Sequence, residues 1–410
     1  MTDLLAKIDR ILFASALPME QPVINNDLGV LIYFATRYDM SKKQEYKAKS
    51  LRLLKKLLAI FSEHDYGSGA LDGFESVFWT ISYLERCKII ESSQELLEDI
   101  EESLVLSIDN DITDGLFEIF YGSVGKIQYF LTEDRIKEEK VSKLIIRLLE
   151  SLWNTKKEKD GRIYWIDKVS FTNDLQFIDL GMAHGICAIF IFLIKLKELG
   201  FEHQHIDTMI EGIAKTYFMA ENKVKGTSFF PDRYSIENPD HNQINSRLAY
   251  CVGDLPVSYA FCYGGQVLNK VEWIAYSKKI LEISTYKEVS SSHLKQFSEY
   301  DFFDIGFCHG ISSILFLFQQ LNKCHDDSYI AFKIEYWKEQ LLSNTAKVLK
   351  TKSKIYYSKS YSKPGEELAL DRNSLLNGLC GAALVLLTSD SEATAWCSFL
   401  CLDNIKKQND

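Results

Sequence analysis

Two kinds of apolar pattern alternate along the chain. In the first, a small-residue turn opens directly onto a run that is apolar on every side. Examples are "NDLGVLIYFATRY" from Asn26, "DGFESVFWTISYL" from Asp72, "YGSVGKIQYFL" from Tyr121, "HGICAIFIFLIKL" from His184, "VGDLPVSYAF" from Val252, "HGISSILFLF" from His309 and "NGLCGAALVLL" from Asn377. In the second, such as "KVSKLIIRLLESLWNTKKEK" and "YWKEQLLSNTAKVLKT", apolar residues recur at helical spacing on one side only. Aligning the first kind superposes Asn26, Gly73, Gly122, Gly185, Gly253, Gly310 and Gly378, roughly 47 to 68 residues apart. That interval suits a helix pair plus a connection.

A helix that is apolar all round has to be enclosed, and a one-faced helix can enclose it. Seven of each predict an all-α chain folded as an α/α toroid of seven inner and seven outer helices, with residues 1–410 forming a single domain. An open solenoid would need polar capping units, whereas the first and last apolar units are as apolar as the rest, so closure is expected. A glycine at each inner-helix start lets loop backbone approach closely. The residues just before it should then gather at one end of the toroid, around its axis.

Composition narrows the function. The 410 residues are 46% hydrophobic and 13% aromatic with only 6 prolines, which fits a folded chain without long disordered linkers. A net charge of -10 disfavours nucleic acid as a partner, because that affinity rests on clustered Lys and Arg. The basic stretch Lys42 to Lys56 reads as an outer helix with a solvated face. Asp3, Lys7, Asp9 and Arg10 interrupt the apolar region that a signal peptide would need, and no window approaches a membrane span. Nine scattered cysteines point to a reducing cytoplasm.

The positions before the aligned glycines carry the candidate chemistry. Cys251-Val252, Cys308-His309 and Ala183-His184 occupy the same register in their repeats. Neighbours on a continuous helix diverge by about 100°, but in a glycine-flanked loop Cys308 and His309 can share one ion, with Cys251 arriving from the preceding repeat. Two thiolates and an imidazole suit Zn2+, and three protein ligands leave a fourth position open. His184 is expected at the mouth of the cavity. Cys87, Cys187, Cys262, Cys324, Cys380, Cys397 and Cys401 read as core, and His64, His203, His205, His241, His293 and His325 as surface.

"GMAHG", "RLAYCVGD", "FCHG" and "LLNGLCG", in this order over nearly the whole chain, resemble the lanthionine synthetase C-like family of lantibiotic cyclases. The resemblance implies a seven-and-seven α/α toroid, zinc on Cys251, Cys308 and His309, an active-site histidine at His184, an arginine at Arg247 and an acidic residue at Glu118. "FCYGG" from Phe261 also looks like the family's first cysteine motif. "RLAYCVGD" fits better, because Arg247 keeps the family's spacing and Gly253 the repeat register. Glu118 stands where Asp is usual, Val252 where Tyr is usual and Tyr250 where Trp is usual. The implied reaction adds a peptide cysteine thiol, activated by zinc, to dehydroalanine or dehydrobutyrine, followed by protonation of an enolate to give a thioether ring. The implied partners are a dehydrated precursor peptide, a dehydratase and an exporter. The implied location is cytoplasmic or peripheral to a membrane biosynthetic complex. Two alternatives keep the same pocket: addition of glutathione or another small thiol to dehydrated residues, and a non-catalytic receptor for thiol peptides. A carbohydrate-active toroid would call for a carboxylate pair, and only Glu118 offers itself.

Overall fold

The computed structural model describes residues 1–14, 22–64, 66–166, 177–223, 228–237, 242, 244–351, 354–358, 367–389, 395–402 and 405–407. His241 lies outside the described residues.

The apolar runs become helices buried on all sides. Helix α2 (Asp27–Ser41) buries nine consecutive residues, Leu28 to Thr36. Helices α8 (Ile186–Glu198), α10 (Asp254–Val267), α12 (Ile311–His325) and α14 (Leu379–Thr388) follow the same rule, and α4 (Glu75–Arg86) nearly so. The one-faced segments become α1 (Thr2–Ala14), α3 (Gln44–Ile60), α5 (Gln94–Asp114), α7 (Glu139–Thr155), α9 (Ile206–Ala220), α11 (Val271–Thr285) and α13 (Ser328–Val348). In α7 the buried stripe Val141, Leu144, Ile145, Leu148, Leu149, Leu152 is the i, i+3, i+4, i+7 pattern read from the sequence. Along the inner layer α8 packs on α10, α10 on α12, α12 on α14, and α14 on α2, so the last unit meets the first. Helix α1 packs on α14 as an outer partner of the seventh unit.

The third inner unit departs from expectation. Its α6 is one turn (Ser123–Lys126) that continues as a 3-10 helix, Ile127–Phe130. The side chain of Lys126 is fully buried and pairs with Asp111 at 2.7 Å and Glu75 at 3.1 Å, an ionic cluster inside a stretch that reads as apolar. Among the described residues the connections also hold four short antiparallel ladders, of which Ile178–Asp179 with Arg233–Tyr234 leads into the fourth inner unit. A C-terminal 3-10 helix, Ala395–Leu400, fills the middle of the ring. Trp396 packs on Phe307 and Phe316, Phe399 on Trp79, and the Leu400 carbonyl accepts from the Tyr250 hydroxyl at 3.1 Å.

Backbone hydrogen bonds close the ring at the end where the inner helices begin. Ile24 N–H donates to the Leu71 carbonyl, Ala70 to Phe120, Ile119 to Ala183, Ala183 to Cys251, Cys251 to Cys308, Cys308 to Leu376 and Leu375 to Asn25. From Leu71 to Leu376 each acceptor stands two residues before an aligned glycine. The carbonyl six residues before that glycine lies over it, which is why no side chain fits: a Cβ on Gly310 would sit 2.5 Å from the Asp304 oxygen. Gly253 combines the same crowding, 2.0 Å from the Arg247 oxygen, with φ +90. Gly253→Ala is therefore expected to cost more than about 2 kcal/mol, read as a lower chemical-denaturation midpoint; an unchanged midpoint would show that the loop relaxes freely.

Candidate functional site

The loops of this collar sort their side chains by position. Two residues before the glycine, Cys251 and Cys308 are buried, each 3% exposed. One residue before it, Asp72, Tyr121, His184, Val252, His309 and Asn377 are each half-buried or exposed, although most of their neighbours are buried. That position looks into the mouth of the toroid.

Because Cys251 N–H binds the Cys308 carbonyl, the two loops lie side by side and bring their sulfurs together. The ligand atoms of Cys251, Cys308 and His309 all lie within 4.8 Å of one another, and Cys308 Sγ stands 3.7 Å from His309 Nε2. With Zn–S of about 2.3 Å and Zn–N of about 2.0 Å, the edges of a tetrahedral zinc site are about 3.5 to 3.8 Å. The donor set fits such an ion in chemistry as well as in size. Two thiolates cancel a divalent charge, so the centre can be buried without a net charge.

The protein prepares these groups electrostatically. The Cys308 thiol, hydrogen-bonded to the Cys251 sulfur, holds the Cys251 thiol well below its ordinary range, and the charges of His309 and Arg247 add to this against the effect of burial. The same hydrogen bond, with burial, pushes Cys308 well up. The negative charge on Cys251 raises His309.

His184 stands in the adjoining loop, whose Ala183 N–H binds the Cys251 carbonyl. Its Nδ1 lies 2.9 Å from Glu118 Oε2. Glu118 is itself fixed by the Phe120 N–H at 2.9 Å and by the Tyr121 N–H. The longer acid at this position thus reaches both the histidine and its own loop backbone. Phe120 meets the imidazole edge-on, and Tyr121 lies parallel to it with centroids 6.3 Å apart. A cavity of about 350 Å3, lined in part by Glu118, His184, Asp179, Trp165 and Thr155, adjoins this pair. Arg247 is half-buried, and its Nε donates to the His293 carbonyl at 3.2 Å.

The structure brings Cys251, Cys308 and His309 to one point and His184 to Glu118. Cys262 of "FCYGG" lies within α10, away from the mouth, as the register argument required. Tyr121 was missed, although it occupies the register position that singled out His184 and His309. Several histidines read as surface are more enclosed than that. The His203 side chain is 11% exposed and bonds Glu150 at 3.0 Å, and His205 is stacked on Trp153 with centroids 4.0 Å apart. His325 is half-buried against Ser277, and its sulfur neighbours are Cys262 and Cys324, which had read as ordinary core. All nine cysteines are buried and unpaired by disulfides. No helix among the described residues is long and apolar enough to cross a membrane.

A closed double ring of helices with a Cys-Cys-His cluster and a carboxylate-held histidine at its mouth defines an α/α toroid with a candidate metal centre. The family described as lanthionine synthetase C-like protein matches residues 18–401, and the chain belongs to that family. Among solved structures, nisin cyclase shares the fold with a TM-score of 0.74 at 17% identity, over 98% of this chain and 97% of that one. Unsaturated glucuronyl hydrolase from Bacillus sp. GL1 aligns with a TM-score of 0.48 at 11% identity, over 94% of this chain and 99% of that one. No curated protein matches the chain in sequence.

Proposed function

We propose that the protein is a zinc-dependent lanthionine synthetase, closing thioether rings by adding peptide cysteine thiols to dehydroalanine or dehydrobutyrine. The observation that carries this reading is the convergence of Cys251, Cys308 and His309 beside the His184–Glu118 pair, at the mouth of a toroid of this family. Zn2+ held by those three residues would depress the pKa of a substrate thiol taking the fourth position and keep it as thiolate at neutral pH.

The remaining work falls to side chains. Addition of sulfur to the β-carbon turns the alkene into an enolate, which needs one proton at the α-carbon. Glu118 holds His184 by Nδ1, so delivery falls to Nε2, and the carboxylate stabilises the imidazolium that carries that proton. Arg247 brings a fixed positive charge to the same loop region, where it offsets negative charge developing on the enolate oxygen. Tyr121 and Phe120 hold the imidazole plane from two sides. A dehydratase supplying the alkene and an exporter removing the product complete the reaction sequence we propose.

The test is incubation of the purified protein with a dehydrated peptide carrying one free cysteine. The expected result is loss of free thiol at constant mass. Persistence of the thiol, or a mass gain only when glutathione is added, would overturn the cyclase reading.

A further inference from the structure

Inner helices α10 and α12 carry a second meeting of two sulfurs and an imidazole. The ligand atoms of Cys262, Cys324 and His325 all lie within 4.8 Å of one another. Cys262 comes nine residues after Gly253, and Cys324 fourteen after Gly310. At about 1.5 Å of rise per residue, the cluster lies roughly 13 to 21 Å down the helices from the mouth, too far to share an ion with it. We propose that Cys262, Cys324 and His325 form a second metal centre, holding a thiophilic divalent cation of the Zn2+ class and tying α10 to α12.

Several observations support this beyond proximity. Both cysteines are buried, Cys262 at 0% and Cys324 at 3% exposure, and two thiolates would neutralise a divalent ion there. No carboxylate belongs to the cluster among the described residues, which disfavours Ca2+ and Mg2+ and favours a sulfur-preferring ion. The nearby Asp327 is engaged by Lys278 at 2.9 Å. The imidazole is oriented from behind: His325 Nε2 lies 3.1 Å from Ser277 Oγ on α11, and that hydroxyl lies 3.0 Å from Ser258 Oγ on α10. A hydrogen-bonded ring nitrogen of this kind fixes the ring plane of a metal-ligating histidine. One turn beyond Cys262, both ends of the Gln266 carboxamide bond the backbone of Lys406, at 2.8 and 3.1 Å, so the last described segment is pinned beside the cluster.

The test is titration of metal-free protein with Co2+, read by the thiolate-to-cobalt absorption and by bound metal per chain. The wild type should take up about two equivalents, Cys262→Ala about one and Cys308→Ala about one. His325→Gln, which leaves both sulfurs in place, should bind its second equivalent at least about 10-fold more weakly. Uptake by Cys262→Ala equal to the wild type would overturn the second centre, as would a Cys262–Cys324 disulfide in metal-free protein isolated without oxygen. Uptake by Cys308→Ala equal to the wild type would instead overturn the centre at the mouth and leave this one standing.

Discussion

Cys308→Ala protein will fold, keep its ring of helices and lose the metal at its mouth, with thiol addition falling to the uncatalysed rate. The fold should survive because residue 308 serves the collar through its backbone. Its N–H donates to Leu376 and its carbonyl accepts from Cys251, and alanine provides both. What disappears is one of three ligand atoms, together with the hydrogen bond that holds Cys251 in its low-pKa state. Removing even an outer partner of a metal ligand typically costs 10- to 100-fold in affinity, so losing a ligand should cost more than about 100-fold. Metal analysis beside circular dichroism checks both halves. A folded variant that retains a full complement of metal at the mouth would remove Cys308 from the centre.

His184→Ala should separate proton delivery from thiol activation. The imidazole is no part of the Cys-Cys-His cluster, so metal content should match the wild type, while ring closure slows by about 10^2 to 10^4, the usual contribution of a positioned acid or base. Glu118→Gln should give a smaller loss, because the one carbonyl oxygen of glutamine can still accept from the Phe120 amide and from His184 but carries no charge to stabilise an imidazolium. The order of effects, His184 greater than Glu118 with metal unchanged in both, can be read in single-turnover assays with a dehydrated peptide. Equal rates for wild type and His184→Ala would exclude the histidine from protonation.

Much of this site was legible because the repeat register is a physical constraint. A glycine under a carbonyl fixes the chain at one point in six of the seven units, and the residues before it are thereby gathered at one end of the ring. Cys251, Cys308, His309 and His184 could be placed on that ground. Tyr121 followed the same rule but carries a side chain that is not a metal ligand. Cys262, Cys324 and His325 obeyed no shared register: one lies mid-helix and two at a helix end, so only the packing of α10 on α12 brings them together. Lys126 was hidden for a related reason. Its partners Glu75 and Asp111 come from the two helices of the preceding unit, and a lone lysine in an apolar run gives no sign of them. The closing contact of α1 on α14 joins the two ends of the chain, a relation no local pattern encodes.

The collar of amide-to-carbonyl links ties the geometry of the mouth to the length of a six-residue turn rather than to the identity of its side chains or to the size of the excursions between turns. The units range from 47 to 68 residues, yet the amide-to-carbonyl link recurs at the same acceptor position, two residues before each aligned glycine. Variation in the outer layer is thereby insulated from the mouth, and new outer surfaces can be added without retuning the groups gathered there.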